Sequence, residues 1–282
     1  MPKFQYLKNT VKSINSQILE NKTKFFLAFF NHYISKNTIK EFVFFKFPST
    51  KFKYSKVVLK TRPNTIDFWV CLESYEPDLT YFLTDVVNEK KGTFIDVGGH
   101  IGRYSTLMAK QNWNVFAFEP IKNNYDILCE NLNYNNCSKN AIVYNLGLGN
   151  ENIEKTIYFN EKEMGEASLI QQDEQNQQTK IKIVKFDDFM KLKNFEKFII
   201  VKIDVEGFEN EVLTGMKNFL KTYKPIIVLE LWKDNSDKIS TLLKEIGYQR
   251  LHIFWFIKET HQSLIDPMYL LYSKNKMGYE YV

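Results

Sequence analysis

The stretch "FIDVGGHIGRYS", Phe94 to Ser105, decides how the rest of the chain is read. Apolar residues run into Asp96, three glycines (Gly98, Gly99 and Gly102) follow within seven positions, and Tyr104, Leu107 and Met108 then open a helical spacing. The pattern is a strand, a sharp turn and a helix. Glycines after a buried strand let the backbone turn tightly and approach a ligand, while the helix beyond offers free N–H groups and the positive end of its dipole. A nucleotide-like cofactor is the usual occupant of such a turn.

Spacing discriminates among cofactors. A dinucleotide fingerprint reads GxGxxG, whereas residues 98–102 spell GxxxG, with His100 where the second glycine belongs. Asp96 also argues against NAD, because a carboxylate at the end of the first strand would face pyrophosphate with like charge. S-adenosylmethionine carries an ammonium and a sulfonium at that end, and those cations suit an acid. Glu119 ends the next strand, 20 residues after Gly99, where an acid can accept hydrogen bonds from both ribose hydroxyls.

A third acidic strand end lies in "VKIDVEGFENEVLTGM" (201–216). Asp204 and Glu206 close an apolar strand expected beside the first one, on the edge where open α/β sheets bind ligands. Two carboxylates crowded there carry a desolvation and repulsion cost that structure alone does not require. Gly207 turns the chain into a helix in which Glu209 and Glu211 read as first-turn acids compensating the dipole.

From Gly92 onward, short apolar runs alternate with helical patterns, the signature of an α/β fold with a mainly parallel sheet. Strands are expected at 93–97, 114–120, 141–148, 198–205 and 225–232, apolar on both faces as strands covered on both sides should be. Helices are expected at 101–111, 121–135, 208–222 and 235–246, the last closing at Gly247. Segments 248–259 and 268–274 follow one another without a helix, which predicts an antiparallel pair at the end of the sheet. Residues 157–190 insert a polar, Gln-rich loop between two strand-like runs, with a solvated tip at 171–180.

Residues 1–60 hold twelve Lys and two Glu, a balance of +10, so the whole-chain +5 leaves 61–282 at about −5. The basic character belongs to an aromatic-rich N-terminal extension, residues 1–65, ahead of a domain at 66–282. Its "KTKFFLAFFNHYISKNTIKEFVFFKF" (22–47) interleaves Lys with Phe. A cap packing its aromatics on the domain is the plainest reading, peripheral membrane contact the second, and nucleic acid the third, since the rest of the chain is net acidic. Cys71, Cys129 and Cys137 are odd in number and widely spaced, which suggests neither a disulfide framework nor a zinc site. With no leader-like start and no apolar run near the 18–20 residues a span needs, a cytoplasmic protein is the expectation.

These motifs together resemble the FkbM family of S-adenosylmethionine-dependent methyltransferases. The resemblance runs from "VCLESYEPDLTYFL" (70–83) to the last strand, through "DVGGHIGRYS" (96–105), "FEP" (118–120), "GEASL" (165–169) and, most specifically, "KIDVEGFENEVLTG" (202–215). It implies a Rossmann-like class I methyltransferase fold, a seven-stranded and mainly parallel sheet with an antiparallel C-terminal hairpin. By the same resemblance, Asp96, Gly98 and Gly102 would hold the methionine end of the cofactor and Glu119 the ribose. Tyr75 and Glu76 would close over that pocket, and Gly99, His100, Tyr104 and Asp204 complete the cofactor-binding set. Gly99 and His100 depart from the family, which more often reads Ala-Asn there.

The implied reaction is in-line methyl transfer to a hydroxyl of a glycan, lipid-like or other small-molecule acceptor, with positioning supplying much of the rate. Asp204 and Glu206 would line the acceptor side and are the candidate catalytic bases. Mg²⁺ held by Asp204, Glu206 and Glu230 is a minority alternative, since Glu230 reads equally well as a strand-end acid. His252 and His261 read as plain surface residues. A catalytically silent cofactor-binding or membrane-surface module is the alternative from another class, and a dehydrogenase a weaker third option.

Overall fold

A computed structural model describes residues 41–46, 56–62, 65–71, 75–159, 167–168, 177–193, 195–196, 198–231, 236–248, 250–254 and 268–273. The basic aromatic arm through residue 40, the insertion tip at 171–176, the 165–169 motif apart from Ala167 and Ser168, and His261 lie outside them. Of Glu230 and His252 only the backbone is described.

A hairpin of β1 (Glu41–Lys46) and β2 (Lys56–Thr61) leads into α1 (Asp67–Val70) and α2 (Pro77–Glu89). Alternation then sets in with β3 (Thr93–Val97), α3 (Arg103–Lys110), β4 (Asn114–Phe118), α4 (Lys122–Tyr134) and β5 (Ala141–Tyr144). A second sheet is formed by β6 (Gly147–Leu148), β7 (Ile153–Phe159), β8 (Ala167–Ser168) and β9 (Gln177–Val184). The chain returns to the central sheet through α5 (Phe186–Phe189), β10 (Ile199–Ile203), α6 (Glu209–Gly215), α7 (Lys217–Tyr223), β11 (Ile226–Leu231) and α8 (Ser236–Ile246). It closes on β12 (Arg250–Phe254) and β13 (Met268–Ser273).

In the central sheet the order is β12-β13-β11-β10-β3-β4-β5. Pairing is parallel from β11 through β5 and antiparallel where β13 meets β11 and β12. The chain therefore winds outward from β3 in one direction through β4 and β5, and in the other through β10 and β11. That reversal between β3 and β10 is the topological switch point, outside whose carboxyl ends open α/β sheets take ligands.

Period-two alternation explains why the strands read as apolar at every position. Phe94, Val115, Ala117, Ile200 and Val228 pack with Leu83, Leu107, Met108 and Leu128 of α2, α3 and α4. Their neighbours Ile95, Val97, Phe118, Val201, Ile203 and Leu229 pack on the opposite face with Val212, Leu213, Leu220 and Leu243 of α6, α7 and α8. No helix among the described residues is long and apolar enough to cross a membrane.

Three boundaries differ from the sequence expectations, each for a local reason. The run 141–148 is split: Asn145 donates to the carbonyls of Glu119 and Pro120, both at 2.9 Å, and β6 leaves to pair in parallel with β9. Helix 208–222 is also split, because Gly215 lies where a Cβ would stand 1.8 Å from the Gly149 carbonyl oxygen. A fresh helix starts at Lys217, with Asp187 accepting the N–H groups of Asn218 and Phe219 at 2.8 Å each. The insertion is more ordered at its base than a loop, since β7 and β9 pair from Ile153↔Ile183 to Phe159↔Gln177.

The N-terminal hairpin is fastened to the domain by side-chain amides rather than by another strand. Asn135 accepts the Val58 N–H at 3.0 Å and donates to the Val58 carbonyl at 2.7 Å. One helical turn earlier, Asn131 accepts the Lys60 N–H at 2.6 Å and donates to the Ile101 carbonyl at 2.7 Å, inside the glycine turn. Asn131 in the last turn of α4 and Asn135 at its C-cap, spaced i, i+4, thus satisfy the outer edge of β2, as a neighbouring strand would. Replacing Asn131 by Ala leaves buried backbone groups unpaired and is expected to destabilise the protein by about 3 kcal/mol, read as a fall in the urea midpoint.

Candidate cofactor and acceptor site

Backbone contacts fix the glycine turn before any side chain acts. Gly98 has φ 81°, and a Cβ there would stand 1.8 Å from the Asp204 carbonyl oxygen, so only glycine fits between the ends of β3 and β10. The N–H groups of Gly98 and Gly99 both donate to the Phe118 carbonyl, at 2.9 and 3.1 Å, which ties the turn to the end of β4. Gly102 adopts φ 85° immediately before α3. Ends of three strands are therefore held within one hydrogen-bonded cluster.

Asp96 stands at the centre of it, buried at 1 % exposure. Its Oδ2 accepts the Ser105 hydroxyl at 2.5 Å, while Oδ1 is buried with no hydrogen-bond partner. Burial pushes the carboxyl above its ordinary value, against the pull of Lys202 and Ser105. Lys202 faces it in register across the β3–β10 pair, with Nζ 3.9 Å from Asp96 Oδ1 and 2.8 Å from Asp204 Oδ2. Burial works against that ammonium, but Asp204, Asp96 and Glu76 outweigh it and hold Lys202 charged.

Glu76 and Tyr75 are brought over this cluster by Arg103. The guanidinium of Arg103 donates to the carbonyls of Val70 and Tyr75 and to the Thr80 hydroxyl, and lies 5.6 Å from the Tyr75 ring centroid. Tyr104 donates to Glu76 Oε2 at 2.6 Å, and burial raises the Tyr75 and Tyr104 hydroxyls further above their ordinary range.

Glu119 occupies the neighbouring corner, at the end of β4. Its Oε1 accepts the Ile121 N–H at 2.9 Å, its Oε2 accepts the His100 N–H at 2.8 Å, and Asn124 approaches Oε1 at 3.4 Å. Burial pushes the carboxyl up to about 7 in spite of these donors. His100 moves the other way, to about 4, so its ring is neutral at neutral pH, with burial as the main cause.

Strain concentrates here. Among the described residues, six that are not glycine have positive φ: Glu76, His100, Asn112, Asn136, Glu206 and Lys224. The two asparagines tolerate that region cheaply and Lys224 terminates α7. The remaining three are all residues singled out from sequence. Left-handed backbone at such residues costs of order 1–3 kcal/mol each and persists where the surroundings over-determine it.

Glu209 stands in the first turn of α6, as the sequence suggested, and is fully buried there; its Oε1 accepts the Gly207 N–H at 2.9 Å, and its Oε2 is buried without a hydrogen bond. The side chain brackets the strained turn that carries Glu206.

The structure gathers Tyr75, Glu76, Asp96, Tyr104 and Asp204 around Lys202, and Gly98, Gly99, His100, Gly102 and Glu119 beside them. Glu206 is half-buried two residues beyond Asp204. No group of three His, Cys, Asp or Glu able to hold a metal ion occurs among the described residues. Sequence reasoning missed Lys202, although a lysine inside "FIIVKIDV" is a signal, because a cation in a buried strand needs acids around it. It also missed Arg62 and Asp67, whose bidentate pair sits against His100 and which no local pattern announces.

A mainly parallel α/β sheet with a glycine turn at its switch point and acids at three adjoining strand ends defines a Rossmann-like, methyltransferase-like fold. The model of the methyltransferase FkbM domain matches residues 96–280, more than half of the chain, and the protein belongs to that family. "Methyltransferase 1" of Beauveria bassiana is 24 % identical over 177 residues, covering 55 % of this chain and 71 % of the relative. The hexuronic acid methyltransferase AglP of Haloferax volcanii is 31 % identical over 140 residues, covering 50 % of this chain and 56 % of the relative. The crystal structure of methyltransferase FkbM from Methylobacillus flagellatus KT aligns with a TM-score of 0.46 and 18 % identity, over 64 % of this chain and 43 % of that one.

Two variants test this geometry. Lys202→Met strands buried carboxylates and is expected to lose about 3–5 kcal/mol at neutral pH. Without the cation the facing carboxyls bind protons more tightly in the folded state than in the unfolded chain, so the deficit should shrink as pH falls from 8 to 5. Denaturant midpoints across that range decide it, and a pH-independent deficit would refute the charge argument. Gly98→Ala combines positive φ with a collision against backbone and should abolish soluble expression.

Proposed function

We propose that this protein transfers a methyl group from S-adenosylmethionine to a hydroxyl of a glycan, lipid-like or other small-molecule acceptor. The observation that carries the reading is Asp96: a buried acid at the sheet's switch point whose Oδ1 has no hydrogen-bond partner, next to a turn that Gly98 packs directly on the Asp204 carbonyl. An unpaired buried carboxylate oxygen suits an ammonium donor. Glu119 fits a ribose equally well, since Oε2 has one backbone partner and Oε1 holds a second only at 3.4 Å, so the carboxylate retains capacity for hydroxyl donors.

In this reading Asp96, Gly98 and Gly102 hold the methionine end, Glu119 the ribose, Tyr75 and Glu76 close the pocket, and Gly99, His100 and Tyr104 complete the cofactor-binding set. The cofactor, when bound, supplies an electrophilic methyl group on a sulfonium. Asp204 also borders that pocket and, with Glu206, receives the acceptor; either carboxylate can take the hydroxyl proton as general base. Lys202 donates to Asp204 Oδ2 at 2.8 Å and fixes that carboxylate while the acceptor is positioned in line. Residues 1–65 serve as a cap on a methyltransferase domain at 66–282, with membrane contact through the basic arm as its second use, and the setting is cytoplasmic. AglP acts on a hexuronic acid, so uronic-acid glycans head the acceptor panel.

Calorimetric titration with S-adenosylmethionine and S-adenosylhomocysteine, with NAD as control, tests the cofactor. Binding of the first two and not the third is expected, and Glu119→Ala should abolish it; a folded protein silent to both would sink the proposal. Ribose hydroxyls need Glu119 ionised, and its carboxyl sits at about 7, so affinity should rise by about tenfold between pH 6 and pH 8. Glu206→Gln should keep S-adenosylhomocysteine binding and the thermal midpoint but lose turnover with any acceptor found, whereas Asp204→Asn should lose turnover and also stability, because it removes a partner of the buried Lys202 ammonium.

A further inference from the structure

We propose that residues 56–62 and 65–71, which lie outside the stretch matched by the family, form the ribose-side wall of the cofactor site, and that Arg62 is the residue that positions it. The inference rests on the cofactor reading above and extends it to a part of the chain that precedes the matched stretch.

Arg62 follows directly on β2. Its Nε and Nη2 donate to the two carboxylate oxygens of Asp67 at 2.8 and 2.7 Å, and its own backbone N–H donates to Asp67 Oδ2 at 2.8 Å. Asp67 is fully buried, and Arg62, with help from His100, holds its carboxyl below the ordinary value against the effect of burial. A bidentate guanidinium–carboxylate pair fixes direction as well as charge, which a lysine could not do. That pair leaves Nη1 aimed at α4, where it donates to Asn124 Oδ1 at 2.7 Å, while Nη2 stands 3.4 Å from His100 Nε2.

Both routes lead to Glu119. With its oxygen held by Arg62, the Asn124 amide can only present its NH₂ group to Glu119 Oε1. His100 rests against the Arg62–Asp67 pair through Nε2, 3.5 Å from Asp67 Oδ1, and donates its backbone N–H to Glu119 Oε2. The charged and titratable groups around Glu119 are thus Arg62, the neutral His100 ring and, behind it, Asp67. Burial at Glu119 is opposed first by the Ile121 and His100 N–H groups, then by Asn124, and last by the charge of Arg62, which also holds the Asn124 oxygen. The segment is pinned where this requires it: Asn135 and Asn131 bind β2 at Val58 and Lys60, and Asn131 also holds the glycine turn at Ile101. Lys60 adds an ion pair with Glu130 on the same helix.

Calorimetry of the full chain with S-adenosylhomocysteine between pH 6 and pH 8 tests this, using wild type, Arg62→Met, Arg62→Lys and Asp67→Asn, with thermal melts as the check on folding. Arg62→Met should bind about tenfold more weakly at pH 7, and the pH at which affinity is half-maximal should rise by roughly half a unit because Glu119 has lost its cation. Arg62→Lys, which keeps the charge and loses the fork, should hold the wild-type midpoint at intermediate affinity. A folded Arg62→Met with wild-type affinity, or one weakened equally at every pH, overturns the proposal. Should Arg62→Met fail to fold, Asp67→Asn decides: it should bind at least about threefold more weakly, and unchanged affinity overturns the proposal. Wild-type protein silent to S-adenosylhomocysteine at every pH removes the cofactor reading itself, and this one with it.

Discussion

The carboxyl ends of β3 and β10 coexist because of one buried ammonium. Parallel strands that are neighbours end at the same edge, so the topology alone delivers Asp96 and Asp204 to one place, and Glu76 is brought over them by the helix above. Two unit charges roughly 5 Å apart repel by about 3 kcal/mol at an effective dielectric of 20. Lys202, opposite Asp96 in register and 2.8 Å from Asp204, offsets that repulsion from inside the sheet. It leaves Asp96 Oδ1 3.9 Å away and without a hydrogen bond, so the compensation is electrostatic and the acceptor oxygen stays available. A closer contact there would satisfy the acid and remove its use.

Backbone conformation follows from the same crowding. With Gly98 packed directly on the Asp204 carbonyl, the chain leaving β3 has no room to rise gradually and must turn at once, which places His100 at φ 47°. The chain leaving β10 meets the same wall from the other side and turns at Glu206 and Gly207, with φ 52° and 94°. Glu209 offsets part of the strain by accepting the Gly207 N–H from within the core. The left-handed residues are therefore consequences of two strands ending against each other, and they carry the polar groups that the edge displays.

Sequence made some of this legible and hid the rest for physical reasons. The α/β alternation, the mainly parallel sheet and the acids at its strand ends were readable because period-two burial, glycine turns and strand-end charges are local signals. The split of 141–148 was not, because Asn145 breaks the strand through carbonyls 25 and 26 positions away in the chain. The burial of Glu209 was not legible, because a first-turn acid looks the same whether it faces water or folds back under its own loop. Arg62, Asp67 and Asn124 were invisible individually: each is an ordinary polar residue, and only the docking of β2 on α4 assembles them.

The two halves of the candidate site are built by different means, and that governs what can vary. Around Glu119, every polar contact is to a backbone amide or to a side chain itself held by another, so a single substitution propagates from β2 through Asn124 and His100 to the acid. Beside Glu206 the neighbours come from elsewhere. Phe208 packs on the isoleucines of the second sheet, and Lys155 of β7 lies over its ring at 5.0 Å. Ile157, Ile181 and Ile183 of that sheet also pack on Ile121, whose N–H holds Glu119, so a change in β7 or β9 reaches both halves of the candidate site. The small second sheet thus borders the candidate site twice, through Phe208 beside Glu206 and through Ile121 beside Glu119, which couples the conformation of its strands to both acids.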